Sequence, residues 1–384
     1  MIFEYILNAI ALGVVFLYGS TGEIITEKSG HLNLGIPGIM CVGAAGGCAS
    51  LHLLIMSGVT NGIVLVTVGI LCAFLCAALM GLLYSFLAVS LHANQNVTGL
   101  AMTTFGVGLM KYVIFGLTDG NSVPYLKALP AFRFPFANMG NALQYCGIMV
   151  FLGIIIAVVA SVILFKTKIG LHLRAVGESP ATADAAGINV NLYKYVATCI
   201  GSGIAGLGGL CYIMDYAGSR EAYLSIEALG WLAIALVIFA LWKPHSSIAG
   251  SIIFGALFVA GAFIPSLITP IPGWLNTVTV YVSDIFGGAM QEITSIASGE
   301  LAVLQGCATA VNSVLGAFEW VINDLLLGSV ISAVEFMRSM KAAPLFEMLP
   351  YVVTVIVLVV TSMRNKKENQ PPASLGLSYF REER

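Results

Sequence analysis

Apolar runs of about 20 residues, parted by short polar breaks, recur along most of this chain, and their spacing predicts its elements. A helix of about 20 apolar residues crosses the hydrocarbon core of a bilayer. Runs of this kind lie at 3–21, 36–56, 62–90, 146–165, 194–213, 228–242, 246–264 and 350–363. Glu4 and Asn8 place the start of the first run at an interface, and the run at 62–90 is long enough to tilt or protrude. The pattern predicts an all-α polytopic membrane protein with about 8–10 transmembrane helices, some of them broken or re-entrant.

The breaks carry the polar chemistry. Residues 22–47, GEIITEKSGHLNLGIPGIMCVGAAGG, begin half polar, are rich in glycine, and enter an apolar stretch without a long loop. Such a segment reads as a broken or re-entrant helix, whose irregular backbone is tolerated where protein covers it or where it lines a path. Glu23, Glu27 and Lys28 within it admit three explanations: a proton or ion pathway, a structural ion pair, or ordinary interfacial charges. The adjacency of Glu27 and Lys28 favours local charge balance over a relay.

In LHANQNVTGLAMTTFGVGL, residues 91–109, Asn94, Gln95, Asn96 and Thr98 stand at the mouth of an apolar helix, with Thr103 and Thr104 further in. Amides are costly in hydrocarbon unless hydrogen-bonded. They either cap a helix end or face a solute corridor, where donors and acceptors suit a heterocycle or ribose; the two roles are compatible. Residues 118–145 form a loop rich in Pro, Gly and Asn that is too polar to span. Gly201, Ala205 and Gly209 place small residues at four-residue intervals, which permits close helix approach in lipid. WKPHSS, residues 242–247, makes a tight turn between two runs. Across 265–345, apolar residues such as Val311, Val314, Phe318, Val321 and Leu325 recur near helical spacing, interrupted by Glu292, Glu300, Glu319, Asp324 and Glu335. That predicts one or two amphipathic helices rather than a clean span.

Composition agrees with the pattern. Apolar residues make up 58% of the chain, charged residues only 9%, and mean hydropathy is +0.94; soluble domains carry about 25% charged residues. A net charge of −2 gives no electrostatic footprint for nucleic acid. The 8 cysteines are scattered through apolar runs without metal-ligand spacing and read as small buried residues. The first run lacks a basic start, so no cleavable signal is expected. No G-x-x-x-x-G-K-[ST] loop is present, so the chain is not expected to hydrolyse ATP by itself or to hold a cofactor.

One polar break has a defined local form. In GLHLRAVGESPATADAAG, residues 170–187, Ser179 suits an N-cap and Pro180 the first helical position, where its missing N–H has no partner in any case. Alanines propagate the turn to Ala186, and Gly187 can adopt the left-handed conformation that ends it. Glu178 sits at the positive end of the helix dipole. Two turns of this composition are too short to be stable alone, so a partner must hold them unless they are simply part of a structured loop.

LRAVGESPATADAAGI also resembles the cytoplasmic coupling loop, the EAA-type loop, of membrane-spanning subunits of bacterial ABC importers. The variant LRAVGE-x-P-x-x-A-x-x-AGI is similar to the nucleoside-type permeases within the branched-chain amino acid/simple sugar permease family. Three further segments carry the likeness. Residues 22–38 match at Glu23, Glu27, Lys28, Gly30, Asn33, Leu34, Gly35 and Gly38, although Pro37 stands where the family has an acid. Residues 93–100 resemble the family's A-N-(Q/E)-x-(V/I)-x-G-(L/T) segment, and LGLSYFREER resembles its carboxyl-terminal pattern.

The resemblance implies that Arg174, Gly177, Glu178, Pro180, Ala183, Ala186 and Gly187 couple the chain to an ATPase subunit that itself binds ATP. It implies Asn33, Asn94, Gln95, Asn96, Thr98 and Thr103 as candidates for the solute path. The expected partners are an ABC ATPase subunit, a second homologous permease forming a heterodimer, an extracytoplasmic solute-binding lipoprotein and membrane lipid. The expected solute is a purine nucleoside, with riboflavin, simple sugars or branched-chain amino acids as alternatives within the family. A stand-alone secondary transporter is the alternative of a different class.

The implied organisation is a core permease domain at 1–264 with its coupling loop at 166–193, an extracytoplasmic or membrane-surface amphipathic insertion at 265–345, a last transmembrane helix at 346–364 and a cytoplasmic tail at 365–384. The likeness fails over 265–345. With the coupling loop in the cytoplasm, 11 of the 17 Lys and Arg residues fall on the inner side and 6 on the outer, the sense expected of a bacterial cytoplasmic-membrane protein.

Overall fold

The computed structural model of the chain describes residues 2–117, 147–217, 224–268, 271–297, 302–330, 332, 348–364 and 370–380. The polar loop expected at 118–145 lies outside the described residues. All regular structure among the described residues is helical. In chain order the helices are α1 (Ile2–Glu27), α2 (Ile36–Met56), α3 (Gly62–Ser85), α4 (Gln95–Leu117), α5 (Ile148–Lys166), α6 (Lys168–Glu178), α7 (Pro180–Ala185), α8 (Val190–Cys211), α9 (Ile226–Phe239), α10 (Pro244–Ile268), α11 (Ile271–Ala297), α12 (Ala302–Trp320) and α13 (Leu349–Arg364). Wider, π-type turns prolong α3, α8 and α12 through Phe86–Ser90, Tyr212–Ala217 and Val321–Leu327. Among the described residues seven helices are long and apolar enough to cross a membrane, and Ile226–Phe239 and Pro244–Ala260 are shorter apolar helices.

Local chemistry sets several helix starts. The Asn61 side chain accepts from the Ile63 N–H at 3.0 Å, and Asn189 accepts from Leu192 at 3.0 Å, each satisfying an amide that has no partner within the helix. Thr167 does the same for α6, accepting from Gly170 at 3.3 Å.

The chain divides into two compact units, 1–259 with 349–384, and 260–348. In the first, α1, α2, α3 and α8 pack most closely. Small residues make that possible. Gly22 and Gly201 lie so close that a Cβ on either would strike the other's carbonyl, and a Cβ on Gly209 would strike that of Met40. Without a side chain between them, backbones approach to the distance at which dispersion holds helices together in lipid. Phe16, Tyr18, Tyr84 and Phe254 are fully buried, whereas Leu71, Leu75 and Leu79 on α3 and Ile155, Val158 and Val162 on α5 point outward, as lipid-facing positions do.

Three boundaries differ from the sequence reading. The first helix runs unbroken to Glu27 rather than ending near 21, so the irregular backbone expected across 22–47 shrinks to 28–35. A polar residue such as Thr21 or Glu23 does not interrupt a helix when neighbouring helices bury it, as they do here. The second difference is α6, an amphipathic helix in a stretch where only 180–186 was expected to be helical; it buries Leu173 and Val176 and exposes Ile169 and Leu171.

The third lies in the second unit. There α11 and α12 run antiparallel, stitched by Asn312 Nδ2 to Thr294 Oγ1 at 3.0 Å and Asn323 Nδ2 to Ser283 Oγ at 2.9 Å. Asp284, Glu319 and Asp324 line the cleft between these two helices, while Val311, Val314, Phe318 and Leu325 face out. By length and composition 309–330 qualifies as a candidate span, where the sequence reading expected amphipathic helices and no clean span.

Candidate functional site

Four chain breaks and the carboxyl-terminal stretch meet at one end of the first unit: 28–35, 90–94, 167–189, 241–243 and 370–380. The centre of this assembly is α7. Ser179 Oγ accepts from the Thr182 N–H at 3.4 Å and shares a 2.8 Å hydrogen bond with the Thr182 hydroxyl, and Pro180 occupies the first turn. Gly187 takes φ +80, which turns its own N–H toward the Asp184 carbonyl at 3.0 Å and that of Ile188 toward Ala183 at 3.0 Å. These two bonds close the carboxyl end of the helix in the left-handed manner that glycine permits.

Of the residues placed on the coupling face by resemblance, Ala183 points inward, in an apolar cluster with Val176 and Val190 that Ile188, Tyr193 and Tyr379 surround. Glu178, Ala186 and Gly187 are exposed, and Pro180 is half-buried. Gly177 is buried for a different reason: a Cβ there would strike the Lys28 carbonyl, so α6 rests directly on the link between α1 and α2. Arg174 is half-buried, its guanidinium 5.2 Å from the centre of the Phe165 ring and its Nε 3.4 Å from the Gly170 carbonyl. Burial pushes the Lys28 ammonium below its usual range, and Glu178 opposes that shift more strongly than Glu27 does. The charge balance expected between Glu27 and Lys28 is therefore shared with α6.

The six solute-path candidates divide into two groups. Residues 31–35 have no helix to satisfy their backbone groups, and buried side chains take that place. Gln95 Oε1 accepts from Leu32 N at 2.8 Å, Tyr84 OH donates to Leu32 O at 2.7 Å, Glu23 Oε1 accepts from Asn33 N at 3.0 Å, and Thr103 Oγ1 donates to Leu34 O at 2.9 Å. Asn33 Oδ1 accepts from Gly35 N at 2.9 Å, closing the turn that leads into α2. Thr98 is buried on the same face of α4 as Gln95. Asn94 and Asn96 are exposed, and Asn94 Oδ1 caps α4 by accepting from Asn96 N at 3.0 Å and Val97 N at 3.2 Å. Asn33, Gln95, Thr98 and Thr103 are thus brought together around one buried link, and Asn94 and Asn96 are not.

Glu27 accepts from the Trp242 indole N–H, and both side chains are buried. Trp242 and Leu241 hold φ +56 and +55, a left-handed turn that ends α9 and aims the indole at Glu27. The same buried link carries His31, whose Nδ1 lies 3.1 Å from Thr198 Oγ1. Burial, with Lys194 adding to it, pushes the His31 imidazole down to about 3. Among the described residues no three His, Cys, Asp or Glu side chains group to hold a metal ion.

Residues 374–380 are the part of the site whose role the sequence left unread. Ser374 donates to the Gly177 carbonyl from both its N–H, at 3.1 Å, and its hydroxyl, at 2.5 Å. Gly376 N donates to Gly30 O at 3.1 Å, and Tyr379 OH to Asp184 Oδ2 at 2.9 Å. The signal was present in LGLSYFREER, but a polar stretch shows no contacts until the fold supplies them.

The fold and this assembly define a multi-pass, all-α membrane protein whose polar chemistry is concentrated at one end of its bundle. Residues 5–291 match the family model described as branched-chain amino acid transport system / permease component, and the chain belongs to that family of ABC permease subunits. The match runs past residue 264, where the sequence reading placed the end of the likeness, into α11.

The chain is 32% identical over 262 residues to the putative glucose ABC transporter permease protein TsgC13 of Haloferax volcanii, covering 66% of this chain and 75% of that protein. It is 28% identical over 278 residues to the guanosine ABC transporter permease protein NupQ of Bacillus subtilis, covering 69% and 84%. It is 29% identical over 292 residues to the nucleoside ABC transporter permease protein NupC of Lactococcus lactis subsp. cremoris, covering 72% and 89%. No solved structure matches the chain.

Proposed function

We propose that this permease subunit imports a small solute, a purine nucleoside by first choice, across a bacterial cytoplasmic membrane. It works with an ABC ATPase subunit that binds the ATP, a second homologous permease and a solute-binding lipoprotein. The observation that carries this reading is the form of α7: a capped helix held from within by Val176, Ala183 and Val190 while Ala181, Ala185, Ala186 and Gly187 stay exposed. An exposed helix end of small residues on a braced base suits a cleft on a motor subunit. Closure of the ATPases would press on α7, and the rigid contact of Gly177 with Lys28 would carry the movement to the link at 28–35. The bundle would then pass from outward-open to inward-open, an equilibrium biased by nucleotide.

The nucleoside choice rests on the likeness to NupQ and NupC. The likeness to TsgC13 supports a simple sugar as the second reading, and riboflavin and branched-chain amino acids are further candidates. Co-purification tests the assembly: the ATPase and lipoprotein that accompany the chain are identified, and the solute that the lipoprotein binds is measured. Gly187→Val and Glu178→Lys are expected to uncouple ATP hydrolysis from uptake with membrane insertion unchanged. Solute uptake by the chain alone, driven by an ion gradient, would instead establish a secondary transporter.

A further inference from the structure

The carboxyl-terminal stretch touches four of the segments that meet at the site. Ser374 holds Gly177, Gly376 holds Gly30, the Leu377 carbonyl lies 3.5 Å from Gln95 Nε2, Tyr379 holds Asp184, and Phe380 lies against His92 with ring centres 4.5 Å apart. These contacts fall on α6, on α7, on the 28–35 link and at the start of α4. Gly30 and Gly376 hold φ +91 and +78, so the two chains pass each other in conformations that glycine adopts without strain. A polar recess of about 500 Å³ opens beside α7, and Tyr379 forms one wall of it with His92, Asp184, Gly187, Asn189 and Asn191.

We propose that residues 374–380 are a strap that binds the α7 helix, α6 and the 28–35 link into one lever and supplies the Tyr379 wall of the recess in which the ATPase subunit seats. The physical argument is one of stiffness. The helix α7 has six residues and is not stable alone. Its inner face buries one residue, Ala183, so its angle to α6 depends on a few contacts. The hydrogen bond from Tyr379 to Asp184 fixes the far end of α7, and the paired donors of Ser374 fix the near end, at the carbonyl of Gly177. With both ends tied to the same seven-residue strap, a push on α7 rotates the lever; with either end free, part of the stroke is lost in bending. Ser374 and Tyr379 act here as positioning residues, with no contact to solute.

This inference rests on the reading of α7 as the coupling helix, and the test separates the two. The complete transporter, purified with its own ATPase and binding protein, is reconstituted in vesicles, and solute taken up per ATP hydrolysed is measured. Tyr379→Phe removes one hydroxyl and Ser374→Ala another; each is expected to lower that ratio by about threefold or more, while the ATPase still co-purifies and hydrolysis does not fall. Asp184→Asn keeps an acceptor for the tyrosine and is expected to retain most of the ratio. A ratio unchanged in both Tyr379→Phe and Ser374→Ala overturns the strap. If Gly187→Val uncouples the transporter while the two strap variants do not, the coupling helix stands and the strap alone fails. If Gly187→Val is also without effect, the reading of α7 fails with it.

Discussion

The indole N–H of Trp242 donates to the carboxylate of Glu27, joining the end of α1 to the turn between α9 and α10 across 215 positions of sequence. Both side chains are buried, so neither can turn to water if the other is removed. Glu27→Ala leaves the buried indole N–H unsatisfied and is expected to cost about 1–3 kcal/mol, the desolvation penalty of a donor left without its partner. Glu27→Gln retains an acceptor and should cost less. Thermal unfolding of the detergent-purified protein measures both, and equal effects would show that the bond contributes little.

Two glycines of the same motif are expected to fail in different ways. A Cβ on Gly177 meets the Lys28 carbonyl at close range, so Gly177→Ala should destabilise the protein by about 1–3 kcal/mol through overpacking. Gly187 has open space around it, and Gly187→Ala should cost only the left-handed backbone term, about 1–2 kcal/mol, confined to the end of α7. Unfolding measurements on the two variants, beside limited proteolysis near 187, separate the global loss from the local one.

His31 makes stability depend on pH in a defined direction. Its imidazole sits near 3 in the folded protein against 6.5 for an unperturbed histidine, so the folded state holds it neutral where the unfolded state takes up a proton. Its contribution is complete above pH 6.5 and is lost as pH falls toward 3. Between pH 7 and pH 5 the loss is about 2 kcal/mol, taking about 1.4 kcal/mol for each unit below the unfolded value. His31→Gln should flatten the melting temperature across that range, and an unchanged slope would assign the pH dependence elsewhere.

The amides at 94–96 separate stability from solute contact. Asn94→Ala removes the cap of α4 and should cost about 1 kcal/mol. Gln95→Ala strands the Leu32 N–H and should cost about 1–3 kcal/mol. Asn96 is exposed, so Asn96→Ala should leave the melting temperature in place. Uptake by the assembled transporter, measured for all three, then reads the corridor directly: a raised half-saturation with unchanged stability at 96 marks solute contact, and losses that track stability at 94 and 95 mark capping and backbone satisfaction.

The sequence by itself determined what depends on local chemistry and on apolar content. Runs of about 20 apolar residues can be satisfied in a bilayer only as helices, so the all-α bundle was legible without contacts. The short helix α7 was legible because Ser179, Pro180 and Gly187 act within a few residues of themselves. What only the tertiary structure decided are the pairings over long separations. The sequence favoured a structural role for Glu23 and Glu27 over a relay, but only the fold placed Asn33 and Trp242 opposite them as partners. Gln95 and Thr103 were candidates for the solute path with capping as a compatible role, and only the fold set the unpaired backbone of 32–34 beside them. Residues 374–380 carry no periodicity at all, and their partners Gly30, Gly177 and Asp184 lie hundreds of positions away in the chain. A polar side chain announces that it needs a partner, but only the packing of apolar helices decides which backbone arrives within 3 Å of it.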